Sequence, residues 1–166
     1  MRKGGHEKNE GSESFVYMPG EAIKSLRTEL SNLLGEKLAA GVLFRFGFRC
    51  GEALMERTMS EANTEKGISK VLPGIWERTG LGKIVNINET SDEEVQIEQE
   101  ASTEARVIGN TDEPSCHYTR GYLAGIATIL SKKKFYCVET TCISEGKDKC
   151  NFQLVVFPHK VLVPKK

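Results

Sequence analysis

No stretch of this sequence approaches the ~20 consecutive apolar residues of a membrane span, and its most apolar segment, residues 38–48, contains Arg45. Net charge is also missing, with 23 Lys+Arg against 23 Asp+Glu. A surface built to neutralise phosphates carries a basic excess, so this balance argues against direct nucleic-acid binding. There is no Gly-x-Gly-x-x-Gly turn between a strand and a helix, and no Gly-x-x-x-x-Gly-Lys-Ser/Thr loop, so no dinucleotide or nucleotide-phosphate site is visible. Histidine is scarce: His6 and His159 lie near the two ends, and His117 reads as a surface or cap residue. No Ser/His/Asp or Cys/His nucleophile is therefore legible. Neither an internal repeat nor a low-complexity tract occurs. The polar residues 1–14 lack a secretory pattern and read as a flexible tail, with 15–166 as a single domain. A chain of this length buries roughly 70% of its unfolded surface and needs no disulfide staple. The odd cysteine count, five, then points to a reducing, cytoplasmic setting.

What is present is periodicity. After Pro19-Gly20, apolar residues from Ala22 to Leu34 recur at three- and four-residue steps and predict an amphipathic helix ending near Gly35. A second helix is expected from Glu36 to about Ser60, apolar over more than one stripe and hence buried on two sides. Glycines at 41, 47 and 51 cost such a helix roughly 1 kcal/mol each relative to alanine, so close packing against a partner helix or a second subunit is the expected compensation. Residues Ile68 to Trp76 read as a shorter helix kinked or divided at Pro73-Gly74. The period then becomes two: Lys83 to Asn88 reads as a strand with Val85 and Ile87 on one face, turning at Ser91-Asp92-Glu93 into a partner that runs to Ala101. Residues 105–108 suggest a short third piece. Residues 117–131 return to helical spacing with a small-residue flank of Gly121, Ala124, Gly125 and Thr128, and two strands at 133–143 and 151–157 follow. Helices, hairpin, helix, hairpin make an α+β fold, a twisted antiparallel sheet packed against helices.

Chemistry concentrates in the last third. Cys116 opens a helix, Glu139 and Cys142 sit three apart near a strand end, and Cys150 begins the next strand. A hairpin symmetric about Gly146 sets Cys142 opposite Cys150 and Glu139 opposite Gln153. Directly opposed residues have Cβ atoms about 4.5–5.5 Å apart, which suits two thiolates on one tetrahedral ion. Residues three apart on a regular strand face opposite ways, so Glu139 can join them only if Thr140-Thr141 forms a bulge or bend. Buried free cysteines and a cross-strand Cys142–Cys150 disulfide fit the same spacing. Cys50 and Cys137 read as core packing. The charge is uneven: residues 89–113 hold nine acidic and one basic side chain, and residues 114–166 nine basic and three acidic. Arg120, Lys132 to Lys134, Lys147 and Lys149 are thus expected to offset an anionic metal site.

Three stretches, 114–125 (PSCHYTRGYLAG), 138–142 (VETTC) and 146–152 (GKDKCNF), together resemble the signature of the 4-vinyl reductase domain family, with a looser match at Gly80-Leu-Gly82-Lys. Domains of that family occur alone, in a protein linked to bacteriochlorophyll synthesis, and as sensors in regulators responding to aromatic hydrocarbons and phenols. The fold the resemblance implies is shared with trafficking-complex subunits that hold an acyl chain. It also implies a zinc ion on three cysteines and a glutamate, which match Cys116, Glu139, Cys142 and Cys150. Four protein ligands leave no open position, so the zinc is expected to be structural and the reading points away from catalysis. A small hydrophobic or aromatic ligand is expected against Phe44, Phe48, Trp76, Tyr118 and Tyr122, with a filled core as the alternative. Packing through the N-terminal helices implies a homodimer. A reductase acting on a tetrapyrrole vinyl group and a protein-interaction adaptor are the competing functions.

Overall fold

The computed structural model describes residues 16, 18–61 and 67–157; the expected tail at 1–14 lies outside the described residues. Helix α1 (Gly20–Leu34) starts at Pro19, whose carbonyl accepts the Ala22 N–H at 2.9 Å. It stops at Gly35, where φ is +80° and the N–H bonds back to the Ser31 carbonyl. Helix α2 (Glu36–Glu61) begins at once and buries a single stripe at every fourth residue: Ala39, Leu43, Gly47, Gly51 and Met55. Its second apolar face, expected to be buried, is open: Leu38 is 63% and Phe46 45% exposed, with Val42 between them. Helix α3 (Ile68–Glu77) runs through Pro73 undivided and buries Ile68, Leu72, Ile75 and Trp76.

Strands β1 (Lys83–Ser91) and β2 (Glu94–Glu100) form one hairpin, and β3 (Phe135–Thr141) and β4 (Cys150–Val156) another. They join through β2 and β4 into an antiparallel sheet of order β1-β2-β4-β3. The expected face of β1 is corrected by a bulge: Ile84 pairs with Gln99 and Asn86 with Glu98, leaving Val85 as the extra residue. A one-residue insertion swaps the faces. Ile84 and Ile87 are therefore the half-buried pair, and Val85 faces solvent. Residues 105–108 are not a strand but belong to a short helix, α4 (Thr103–Ile108), capped by Ser102, whose Oγ accepts the Ala105 N–H at 3.3 Å.

Helix α5 (His117–Ser131) lies between the sheet and α2 and is the centre of the core. Its glycines meet those of α2. A Cβ on Gly47 or Gly51 would run into the carbonyl oxygens of Tyr118 and Tyr122, and one on Gly121 or Gly125 into those of Phe44 and Phe48. Each helix thus rests its backbone on the other's missing side chains, which answers the expectation for Gly47 and Gly51 within one chain. Gly41 meets nothing within 4 Å.

Candidate metal centre and ligand core

Three elements bring four buried ligand residues together. Cys116 is the N-cap of α5, Glu139 is on β3, Cys142 follows β3, and Cys150 opens β4. The irregularity expected at Thr140-Thr141 is present: Glu139 pairs with Phe152 and Thr141 with Asn151, so Thr140 is inserted. Glu139 therefore sits opposite Phe152, not Gln153, because the symmetric pairing about Gly146 holds only on the turn side of the bulge. That insertion turns Glu139 and Cys142 to the same side. All five cysteines are free thiols.

The three sulfurs form a nearly equilateral triangle, with Cys116–Cys142 and Cys142–Cys150 at 3.6 Å and Cys116–Cys150 at 3.8 Å. The edge of a tetrahedron around a metal with bonds to sulfur of roughly 2.3 Å is about 3.8 Å. The Glu139 carboxylate supplies the fourth corner, and all four ligand atoms lie within 4.8 Å of one another. Its Oε2 accepts the Cys116 N–H at 2.8 Å, while its Oε1 is buried and has no hydrogen-bond partner. A metal ion is the group that would satisfy it. The cluster could hold a metal, and the donor set fits one.

Without metal, the cluster gathers its charge on one sulfur. Cys116 and Cys150 hydrogen-bond to Cys142 and hold its thiol far below the usual range, while the same bonds push Cys116 well up. Contact with Cys116 favours the Cys150 thiolate, but donation to Cys142 and burial outweigh it and raise the group to about 12. Burial, then the Cys142 charge, pushes Glu139 up to about 8. Polar neighbours surround the three sulfurs: Ser144 Oγ donates to the Cys142 sulfur at 3.0 Å, the Ile143 N–H to that of Cys150 at 3.3 Å, and Ser102 Oγ lies 3.4 Å from that of Cys116.

The basic residues expected around this site are mostly elsewhere. Lys132 to Lys134 follow the far end of α5, a 15-residue helix and so roughly 22 Å from Cys116. Lys149 reaches Glu98 at 3.1 Å on the sheet surface. Backbone N–H groups, hydroxyls and the positive end of α5 do the work assigned to the lysines. Arg120 is nearer: its Nη2 donates to His117 Nδ1 at 3.0 Å, and its guanidinium lies 5.9 Å over the Phe44 ring. Burial and the Arg120 and Arg27 charges lower His117 to about 4, so it is neutral at pH 7.

The five aromatics expected at a ligand fall into two groups. Trp76, fully buried, meets Tyr122 edge-on at 5.9 Å, and Tyr122 meets Tyr118 at 5.7 Å. Burial first, then the charge of Cys50, pushes Tyr122 up to about 12, so the phenol is neutral. Phe44 instead stacks on Phe48 at 6.4 Å and meets Tyr136 at a tilt, 5.1 Å away. Two further buried polar residues lie outside the sequence expectations. Glu104 on α4 accepts the Tyr118 and Thr119 N–H groups at 3.0 and 2.8 Å and so caps α5. Gln99 on β2 donates from Nε2 to the Leu81 carbonyl at 2.9 Å. Gly82, at φ +146°, leaves that amide its room, since a Cβ there would strike it.

The model of the family described as activator of aromatic catabolism matches residues 4–92, more than half of the chain, and that of the 4-vinyl reductase domain matches residues 95–156. The chain belongs to the activator of aromatic catabolism family and carries a 4-vinyl reductase domain. All four residues of the cysteine and glutamate cluster fall within the latter match. The chain is 24% identical over 151 residues to the transcriptional regulatory protein XylR of Pseudomonas putida, covering 84% of this chain and 27% of XylR, so it spans about a quarter of that relative's length. In fold it resembles the phenol-responsive sensory domain of the transcription activator PoxR, solved with phenol. The TM-score is 0.73 and the identity 24%, over 86% of this chain and 76% of that one. A trafficking protein particle complex subunit 3 from Naegleria fowleri, covalently bound to palmitic acid, superposes at a TM-score of 0.60 and 13% identity, over 84% and 95% of the two chains. In this member of the aromatic-catabolism activator family, no helix among the described residues is long and apolar enough to cross a membrane.

Proposed function

We propose that this chain is a zinc-stabilised sensor domain that binds a small aromatic molecule carrying a hydroxyl group, and that it acts as a homodimer. The observation that carries the ligand reading is a pair of unpartnered polar atoms in an apolar core. The indole N–H of Trp76 and the Oε1 of Gln99 are both completely buried and have no hydrogen-bond partner. Each such atom costs roughly 1–3 kcal/mol. A hydroxyl group offers an acceptor for the one and a donor for the other. The two residues are tied to one turn: the Trp76 carbonyl accepts Thr79 Oγ1 at 2.7 Å, and the Leu81 carbonyl accepts the Gln99 amide. That bond fixes the amide so that Oε1 is the atom left over. Similarity to the phenol-responsive domain of PoxR and to the regulator XylR supports the sensor reading.

Zinc is the metal favoured by three thiolates and a carboxylate at tetrahedral spacing. Cys116, Glu139, Cys142 and Cys150 would hold it, and a zinc ion on four protein ligands would act structurally, cross-linking α5 to the β3–β4 hairpin. The dimer rests on the apolar ridge of Leu33, Leu34, Leu38, Val42 and Phe46, exposed along the end of α1 and the start of α2.

Calorimetric titration with phenol and with benzene tests the ligand reading. Phenol is expected to bind about tenfold or more tightly, and Trp76→Phe and Gln99→Leu each to remove most of that preference. Equal binding of the two compounds, with neither substitution having an effect, would refute it.

A further inference from the structure

The run Lys132-Lys133-Lys134 is left unused by the metal centre, and the structure gives it another setting. It rims a cleft of about 680 Å³ whose other lining residues are Phe48, Arg49, Glu52, Glu93, Thr128 and Val156. The volume falls in the ordinary range for small-molecule sites. Phe48 and Val156 make its walls apolar, and the charged groups are divided unevenly. Arg49 is neutralised by Glu52 at 2.7 Å, and Lys133 Nζ donates to the Asp92 carbonyl at 3.2 Å. Neither Lys132 nor Lys134 has an ion-pair partner among the described residues. The usual reason for lysines at such a place is the negative end of a helix. Ser131 also stands at that end, where its Oγ donates to the Ala127 carbonyl at 2.7 Å and accepts the Lys133 N–H at 3.1 Å, so the Lys133 backbone is held there while the Lys132 and Lys134 side chains are not. Two free cations thus stand over an apolar wall, with Glu93 the one carboxylate of the lining that lacks a cationic partner.

We propose that this cleft is a second binding site, for an amphipathic organic carboxylate whose apolar part lies on Phe48 and Val156 and whose head group sits between Lys132 and Lys134. The site shares no residue with Trp76 or Gln99, so it stands or falls apart from the core ligand. Calorimetric titration of the full chain with sodium octanoate and with 1-octanol, which share a tail, isolates the head group. Octanoate is expected to bind at least about tenfold more tightly than the alcohol. The double substitution Lys132→Gln/Lys134→Gln is expected to bring octanoate down to the alcohol's level. Lys24→Gln/Lys70→Gln makes the same change in net charge at exposed positions outside the cleft and is expected to leave it unchanged. The proposal is overturned by absent octanoate binding, by equal affinity for acid and alcohol, or by the two double variants having the same effect.

Discussion

Replacing Gly121 by alanine adds one methyl group where two backbones touch. Its Cβ would fall inside contact distance of the Phe44 carbonyl and the Phe48 nitrogen, atoms of α2 that cannot rotate aside. The helices must part by about 1 Å, and a gap of that size forfeits a quarter to a half of each contact along the crossing. Overpacking of this kind costs about 1–3 kcal/mol, with the lost contacts in addition, while alanine returns about 1 kcal/mol of helix propensity. The net expectation is a loss of about 2–3 kcal/mol, or about 5–10 °C in Tm for a domain of this size. Gly41 is the internal control: it lies in the same α2 helix, is exposed, and meets nothing within 4 Å. Gly41→Ala should therefore stabilise by about 0.5–1 kcal/mol. Urea and thermal unfolding followed by circular dichroism, at fixed metal content, measure both. A Gly121→Ala protein as stable as the parent, or a Gly41→Ala protein weakened as much, would refute the interlocked crossing.

Cys150→Ser should abolish metal binding, read by elemental analysis. At free metal about 1,000 times the dissociation constant it should forgo about 4 kcal/mol that the parent gains; full metal content with an unchanged melting curve would contradict the assignment. Burial raises the Glu104 carboxyl above its ordinary 4.5 despite the N–H groups it accepts. The folded state then holds that proton more tightly than the unfolded one, so stability should fall as pH rises above about 4.5. Urea midpoints across that range should fall less steeply in Glu104→Gln than in the parent, the slope that remains coming from Glu139. Leu38→Glu should weaken self-association by about tenfold or more in analytical ultracentrifugation, while changing monomer stability by less than about 0.5 kcal/mol, since Leu38 is 63% exposed.

Helical and strand periods are enough to place α1, α2, α3, α5 and both hairpins, although α1 buries only Ile23 and β1 no residue fully. The bulges are less accessible. A period of two does not reveal an inserted residue, so it puts Val85 on the wrong face, whereas Thr140 is legible because Glu139 and Cys142 demand it. Helix α4 escapes because six residues are too short for a period, although Ser102 followed by an acidic first turn is a helix-start signal. Gln99 leaves a trace as well: alternation from Val95 and Ile97 puts an amide on the apolar face of β2. Distance is the hardest quantity to read. Lysines near Cys116 in sequence end up one helix length away.

The meeting of glycines between α2 and α5 also limits how this protein can respond to anything it binds. Sliding one helix along the other by a single residue, a rise of about 1.5 Å, would bring a side-chain stem under a carbonyl oxygen that now rests on bare backbone. Register between the two is therefore latched, and they travel as one girder with Cys116 fixed at its end. Any movement on binding falls instead to parts outside that girder, such as the 79–82 turn between α3 and β1, which is held by hydrogen bonds to Gln99 and Thr103 and by the buried Leu81 side chain.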